Sequence, residues 1–108
     1  MDKHKRERIE AAGFKVGSVA DFLGLTAEES EMIELRLALS RSLRQSRIEH
    51  QLSQAELARR LGSSQSRVAK IEAGDPSVSI DLMIRALFAM GTTRQELSAI
   101  IASPAQAA

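Results

Sequence analysis

Residues 54–73 read QAELARRLGSSQSRVAKIEA, and this stretch predicts two short helices joined by a tight turn. Apolar residues recur at helical spacing on one face of each helix: Leu57, Ala58, Leu61, Val68 and Ile71. Gly62 interrupts the apolar pattern between the helices. Glycine suits a tight turn at this point, because it accepts the left-handed backbone conformation. The other faces carry Gln, Ser, Arg and Lys side chains, which hydrogen-bond base edges and phosphates. The stretch therefore predicts a DNA-binding helix-turn-helix.

Helix-start signals extend this pattern to five predicted helices. A Ser or Thr followed three residues later by Glu is a capping box, and such boxes occur at residues 26–29, 53–56 and 93–96. Ser64 and Ser79 are natural N-cap residues for two more helices. The predicted helices span residues 27–50, 54–61, 65–73, 80–90 and 94–102. No segment alternates in the manner of a strand, so the predicted fold class is all-α.

The chain is expected to divide into three regions. Residues 1–25 are predicted to form a short helical arm, partly disordered, with one or two helical turns over residues 19–23. Residues 26–102 hold the helix-turn-helix DNA-binding domain, and residues 103–108 form a flexible tail. The arm is too short to be stable alone, so we expect it to pack on its own domain or on a partner chain.

The composition is that of an ordinary globular domain. The chain has 108 residues, of which 44% are hydrophobic and 27% are charged. The absence of cysteine excludes disulfides and thiolate chemistry and fits a reducing compartment. No apolar run approaches the roughly 18 residues of a membrane span, and no signal peptide is expected. We therefore expect a cytoplasmic protein with no membrane partner.

The net charge is only +1, but the charges are segregated along the chain. Residues 41–70 hold seven basic and two acidic residues, whereas residues 21–37 hold five acidic residues and one basic residue. The basic block coincides with the predicted helix-turn-helix, which favours a surface that binds nucleic acid over a merely solvated helix face.

The first long helix has an apolar surface wider than one neighbouring helix requires. Ile33 and Leu37 form a second apolar stripe beside the stripe of Met32, Leu35, Leu39 and Leu43. Two interpretations of the wide surface stay open. In one, residues 13–25 fold back over it as a structural arm; in the other, it forms a dimer or partner seam; the two are compatible. The residues predicted for such a seam are Phe22, Leu23, Ile33 and Leu37.

Nothing in the chain indicates an enzyme. His4 and His50 are isolated, and no cysteine is available as a nucleophile. No glycine-rich phosphate loop and no metal-ligand spacing occurs, so we expect no catalytic residues, no metal and no other cofactor.

From about Leu43 to Ile101 the chain resembles the Cro/repressor-type helix-turn-helix proteins, the Xre family. The motifs that carry the resemblance are LSQAELA at 52–58, LGSSQS at 61–66 and IEAG at 71–74. The resemblance implies a five-helix Cro/repressor-like bundle. It also assigns the motif core to Ala58 where the two helices cross, Gly62 in the turn, and Val68 facing the first motif helix.

The same resemblance implies the residues that bind double-stranded DNA. In family members the second motif helix enters the major groove, which implies base contacts from Gln65, Ser66 and Lys70. Phosphate contacts are implied for Gln54, Ser64, Arg67 and Arg47. The family often pairs an arginine of the first bundle helix with the glutamate of I-E-x-G, which implies a structural brace between Arg47 and Glu72.

Two functions from different classes follow. The first is a sequence-specific transcriptional repressor, expected to act as a homodimer on a near-palindromic operator because one such helix reads only a few base pairs. The leader over residues 19–44 is similar to those of HigA-type antitoxins, which implies a possible cognate toxin as partner. The second function is a protein-binding adaptor, which the wide apolar surface and the acidic block would serve.

Overall fold

The computed structural model describes residues 24–103, and within this range it contains five helices and no strand. The helices are α1 (Ala27–Glu49), α2 (Gln54–Leu61), α3 (Gln65–Glu72), α4 (Ile80–Ala89) and α5 (Arg94–Ala102). The predicted all-α class is therefore confirmed, with helix ends within one residue of those expected. The predicted N-terminal arm up to residue 23 and the tail from residue 104 lie outside the described residues. The chain divides into two units, and the boundary lies between Ile33 and Glu34 within α1, so the second unit begins at Glu34.

All three predicted capping boxes form. In each box the N-cap hydroxyl accepts a hydrogen bond from the backbone N–H of the Glu, and the Glu carboxylate accepts one from the N-cap N–H. The donor–acceptor distances lie between 2.8 and 3.1 Å: Thr26–Glu29, Ser53–Glu56 and Thr93–Glu96. Each box satisfies backbone donors that the first turn of a helix would otherwise leave free.

Aliphatic side chains from α1 to α4 form the core of the second unit. Its fully buried large members are Leu39, Leu43, Leu57, Val68, Ile71, Met83 and Leu87. Helix α5 has no fully buried residue and packs on this core through the half-buried Leu97 and Ile100. The core holds one face of α3 through Val68 and Ile71, which leaves its opposite face for solvent.

Several apolar residues that follow the helical stripes remain at the surface. Phe88 is 43% exposed, because it follows the buried Leu87 and is therefore rotated about 100° away from the buried face of α4. Of the predicted seam, Ile33 is 43% exposed and Leu37 is half-buried. The other two seam residues, Phe22 and Leu23, lie outside the described residues.

An ion pair between Arg47 and Glu72 joins α1 to the end of α3. Arg47 donates from Nε to Glu72 Oε2 at 2.6 Å and from Nη2 to Oε1 at 3.0 Å. Its Nη1 donates to the carbonyl of Leu52 at 2.8 Å, and Gln54 Nε2 donates to Glu72 Oε1 at 3.2 Å. The two charged side chains are only 14% and 5% exposed, and hydrogen bonding to Glu72 raises the pKa of Arg47 above its ordinary value.

Removal of the Glu72 carboxylate should destabilise the fold. In Glu72→Ala the nearly buried Arg47 guanidinium loses its counter-charge, and we expect the free energy of unfolding to fall by about 3 kcal/mol. Urea unfolding monitored by circular dichroism measures this loss. The double variant Arg47→Met/Glu72→Leu is the matched control and should regain most of the stability, because two apolar groups leave no buried charge unpaired. A Glu72→Ala variant as stable as the parent would contradict the structural role of the pair.

Stability should also fall at acid pH through the capping boxes. The backbone hydrogen bonds from Ser53 and Thr93 lower the pKa of Glu56 and Glu96 below the ordinary value of 4.5. The ionised carboxylates therefore favour the folded state. Their contribution is complete above the unfolded pKa and is lost as the pH falls through the lower folded pKa.

We expect the melting temperature to decline as the pH is lowered from about 5 to 3. Glu56→Gln/Glu96→Gln should flatten this decline, because an amide oxygen accepts the same hydrogen bond at every pH. Glu31→Gln, an exposed substitution outside any capping box, is the control and should keep the slope of the parent. An unchanged slope in the double variant would contradict this origin of the acid sensitivity.

Candidate nucleic-acid interface

The turn between α2 and α3 sets the position of the second motif helix. Gly62 has φ +66°, and a Cβ built on it would meet nothing within 4 Å, so its backbone angle alone favours glycine here. The N–H of Ser63 donates to the carbonyl of Ala58 at 2.8 Å and closes the turn. Ser64 then begins α3, since its Oγ accepts a hydrogen bond from the N–H of Arg67 at 3.2 Å.

The crossing of α2 and α3 depends on one small and one apolar residue. Ala58 and Val68 are both buried in the common core. A side chain larger than alanine at position 58 would push the helices apart, because packed cores have little free volume. The two short helices therefore pack closely against each other. The face of α3 opposite Val68 and Ile71 points away from the core.

That projecting face carries the residues for which the resemblance implies base contacts. Gln65, Ser66 and Lys70 are all exposed, and Ser66 and Lys70 lie one helical turn apart on the same side. Arg67 and Ser64 are exposed beside them, and Ser64 Oγ lies 3.2 Å from Ser66 Oγ. The structure brings these five polar side chains together on one short helix and its cap.

Arg47 and Gln54 lie elsewhere, in the brace at the other end of α3. Arg47 uses three of its five N–H donors on Glu72 and Leu52, so two donors remain for a phosphate. Gln54 uses one amide N–H on Glu72 and keeps the other together with its carbonyl oxygen. Both side chains thus combine a structural hydrogen bond with spare capacity at the start of α2.

The loop between α3 and α4 is held from two sides. The N–H of Ser77 donates to Asp75 Oδ1 at 2.8 Å, and this hydrogen bond lowers the pKa of Asp75 below its ordinary value. From α1, Arg36 donates through Nη1 to the carbonyl of the buried Val78. Gly74 begins the loop at φ +69° and lies close to α1, where a Cβ would be 3.5 Å from Ser40 Oγ. The loop backbone is therefore fixed next to α3.

This loop and α4 form the second wall of a groove whose first wall is α3. The groove has a volume of about 570 Å³ and is about half open to solvent. From α3 and its cap it is lined by Ser64, Ser66, Arg67 and Lys70. From the loop and α4 it is lined by Ser77, Val78, Ser79, Asp81, Leu82 and Arg85. Sequence patterns predict no role for Ser77, for Arg85 or for Arg36, the lone base of the acidic block, and they predict Ser79 only as an N-cap.

The groove is suited to an anion. Three cationic side chains and four hydroxyls line it, against one carboxylate. Charge-assisted hydrogen bonds from such donors are the usual contacts to phosphate oxygens. Within residues 24–103 no group of three or more His, Cys, Asp and Glu side chains could hold a metal ion. Over the same residues no helix is both long and apolar enough to cross a membrane.

Comparison with known proteins agrees with this geometry. The family model described as helix-turn-helix matches residues 43–97, just over half of the chain, from the last third of α1 into α5. Searches of curated proteins and of solved structures gave no significant match. The matched segment contains both motif helices, the turn between them and the face of α3 described above. The chain therefore belongs to the Xre-type helix-turn-helix family of DNA-binding transcription regulators.

Proposed function

We propose that the protein represses transcription by binding a specific operator as a homodimer, with α3 in the major groove. The observation that carries this proposal is the division of α3 into two faces. Val68 and Ile71 are buried in the core, whereas Ser66 and Lys70 are exposed on the opposite side and Gln65 is exposed in the first turn. A helix held in this way can enter a groove about 12 Å wide without disturbing its own domain.

The base contacts follow from side-chain chemistry. Gln65 can bind N6 and N7 of adenine with two hydrogen bonds, and Lys70 can bind O6 and N7 of guanine. Ser66 both donates and accepts, so it discriminates bases less strongly. Gln65 lies in the first turn of α3, as is usual for base contacts by a recognition helix.

Phosphate contacts would fix the orientation of α3 on the duplex. Ser64 and Arg67 are exposed at the start of α3, and they can bind a phosphate adjacent to the bases being read. Gln54 and Arg47 have spare donors at the start of α2 and would bind a second phosphate. These contacts carry no sequence information, but they set the register of the reading helix.

A homodimer would supply the remaining specificity. Three reading side chains discriminate too few base pairs to select one site in a genome, so two copies on half-sites about 34 Å apart are needed. The surface we propose for the dimer or partner seam includes Ile33 and Leu37, together with Phe22 and Leu23 outside the described residues. The exposure of Met32 and Ile33 on α1 supports it to the extent that they extend an apolar surface with Leu37, because contiguous apolar surface is typical of interaction sites.

The same apolar surface favours two related roles. As an antitoxin, the protein would bind a cognate toxin at this seam while its second unit binds the operator. As a protein-binding adaptor, it would use the seam without binding DNA. A cytoplasmic location fits the repressor and the antitoxin and remains a prediction.

The first test is DNA binding by variants of α3. The operator would be selected from a randomised duplex library, and affinities measured by fluorescence anisotropy over a range of salt concentrations. Gln65→Ala and Lys70→Ala should each cost about 1–3 kcal/mol on the selected site and relax the preferred sequence. Arg67→Ala should weaken all sequences alike and reduce the slope of log K against log salt by about 0.9.

Arg94→Ala is the matched control, because Arg94 is an exposed cation on α5 outside the groove. Its affinity and salt slope should equal those of the parent. Unchanged binding by Gln65→Ala and Lys70→Ala would contradict the assignment of α3 as the reading helix. A parent protein with no salt-sensitive DNA binding would favour the adaptor instead.

The second test is the mass of the protein in solution. Sedimentation equilibrium at micromolar concentration should give twice the chain mass of 11.8 kDa. Ile33→Asp places a charge in the proposed seam and should shift the equilibrium towards the monomer, whereas Glu31→Gln should not. A monomeric parent contradicts the homodimer, and a fully dimeric Ile33→Asp variant places the interface elsewhere.

A further inference from the structure

One cation in the groove belongs to neither motif helix. Arg85 lies in α4 and lines the groove opposite Arg67 and Lys70 of α3. Its side chain is 78% exposed. The groove therefore presents positive charge from both of its walls, and only one wall is occupied by the contacts proposed so far.

Arg85 is held by a neighbouring carboxylate. Its Nε lies 3.0 Å from Oδ2 of Asp81, one turn earlier on α4, and the Asp81 side chain is 76% exposed. Such an exposed pair within one helix is weak and is screened by salt, so a phosphate can compete with it. A guanidinium has five N–H donors, so Arg85 keeps donors for a phosphate even while Nε binds Asp81.

The shape and lining of the groove fit an extended polyanion. The groove is about half open to solvent, so a phosphate of an extended backbone can reach its lining. Hydroxyls of Ser77 and Ser79 lie on the same wall as Arg85, and Val78 and Leu82 are the only apolar residues in the lining. Asp81 is the only carboxylate there and opposes the approach of a phosphate.

We propose that Arg85 binds a phosphate of the DNA backbone in this groove and that Asp81 limits the affinity by competing for the Arg85 guanidinium. This inference rests on the proposed DNA binding and extends it to α4. The contact is independent of base sequence, because it reaches only the backbone. It widens the DNA-binding surface from the motif helices to the loop and helix that follow them.

The test compares four proteins on the selected operator and on an unrelated duplex: the parent, Arg85→Ala, Asp81→Asn and the double variant. Arg85→Ala should bind both duplexes about 5-fold more weakly, and its slope of log K against log salt should be smaller by about 0.9. Asp81→Asn should bind both about 3-fold more tightly at low salt, because the guanidinium is released and a repulsive charge is removed. In the double variant most of this gain should disappear.

Arg94→Ala controls for the loss of any surface cation, and circular dichroism confirms that each variant is folded. In one outcome, Arg85→Ala keeps the parent's slope of log K against log salt while Arg67→Ala still loses about one phosphate contact. That result overturns this inference and leaves the proposed function intact. If Asp81→Asn raises the DNA affinity as much in the Arg85→Ala background as in the parent, Asp81 does not act by competing for Arg85. Its carboxylate then repels the DNA directly. A parent that binds neither duplex overturns both proposals.

Discussion

The Glu72 carboxylate holds together the three helices on which the DNA-binding face depends. It lies at the end of α3 and accepts two hydrogen bonds from Arg47 of α1 and one from Gln54 at the start of α2. Its side chain is almost wholly buried, so each of these bonds acts where the dielectric constant is low and a missing partner is costly. The core residues Val68 and Ile71 attach α3 to the bundle, but apolar contacts alone are not directional. The ion pair adds a fixed direction and distance at the end of the helix.

The same arrangement explains how polar groups serve the fold and the surface together. Arg47 and Gln54 each use some of their N–H donors on Glu72 and have others that make no hydrogen bond within residues 24–103. Arg36 has a comparable structural role from α1, since it fixes the carbonyl of Val78 in the loop between α3 and α4. Both walls of the groove are thus attached to α1, which begins before the segment that matches the family.

The helices were predictable because their start signals are local. A capping box needs two residues three positions apart, and all three boxes form as the sequence indicates. The pairing of Arg47 with Glu72 spans 25 residues, so the periodicity of the sequence does not predict it. The resemblance to the Xre family predicts the pair. Resemblance could not supply Arg36 or Arg85, which lie outside the quoted motifs. Their roles depend on where α1 and α4 pack relative to α3, and residue spacing along the chain does not contain that information.

If α3 reads bases as proposed, the precision that base reading requires explains why this helix is fixed at both of its ends. A shift of α3 by one residue moves its side chains about 1.5 Å along the axis and rotates them by about 100°, which would turn Gln65 and Lys70 away from the bases. A hydrogen-bonding group that recognises a ligand needs its position fixed to within about 0.5 Å. An isolated helix of eight residues is not stable enough to provide this, so α3 depends on contacts with the rest of the domain. Ser64 fixes the first turn through the N–H of Arg67, and Glu72 fixes the last turn through Arg47. Replacement of the ion pair by apolar residues could preserve the stability of the fold, but it would remove the directional contact between Arg47 and the end of α3.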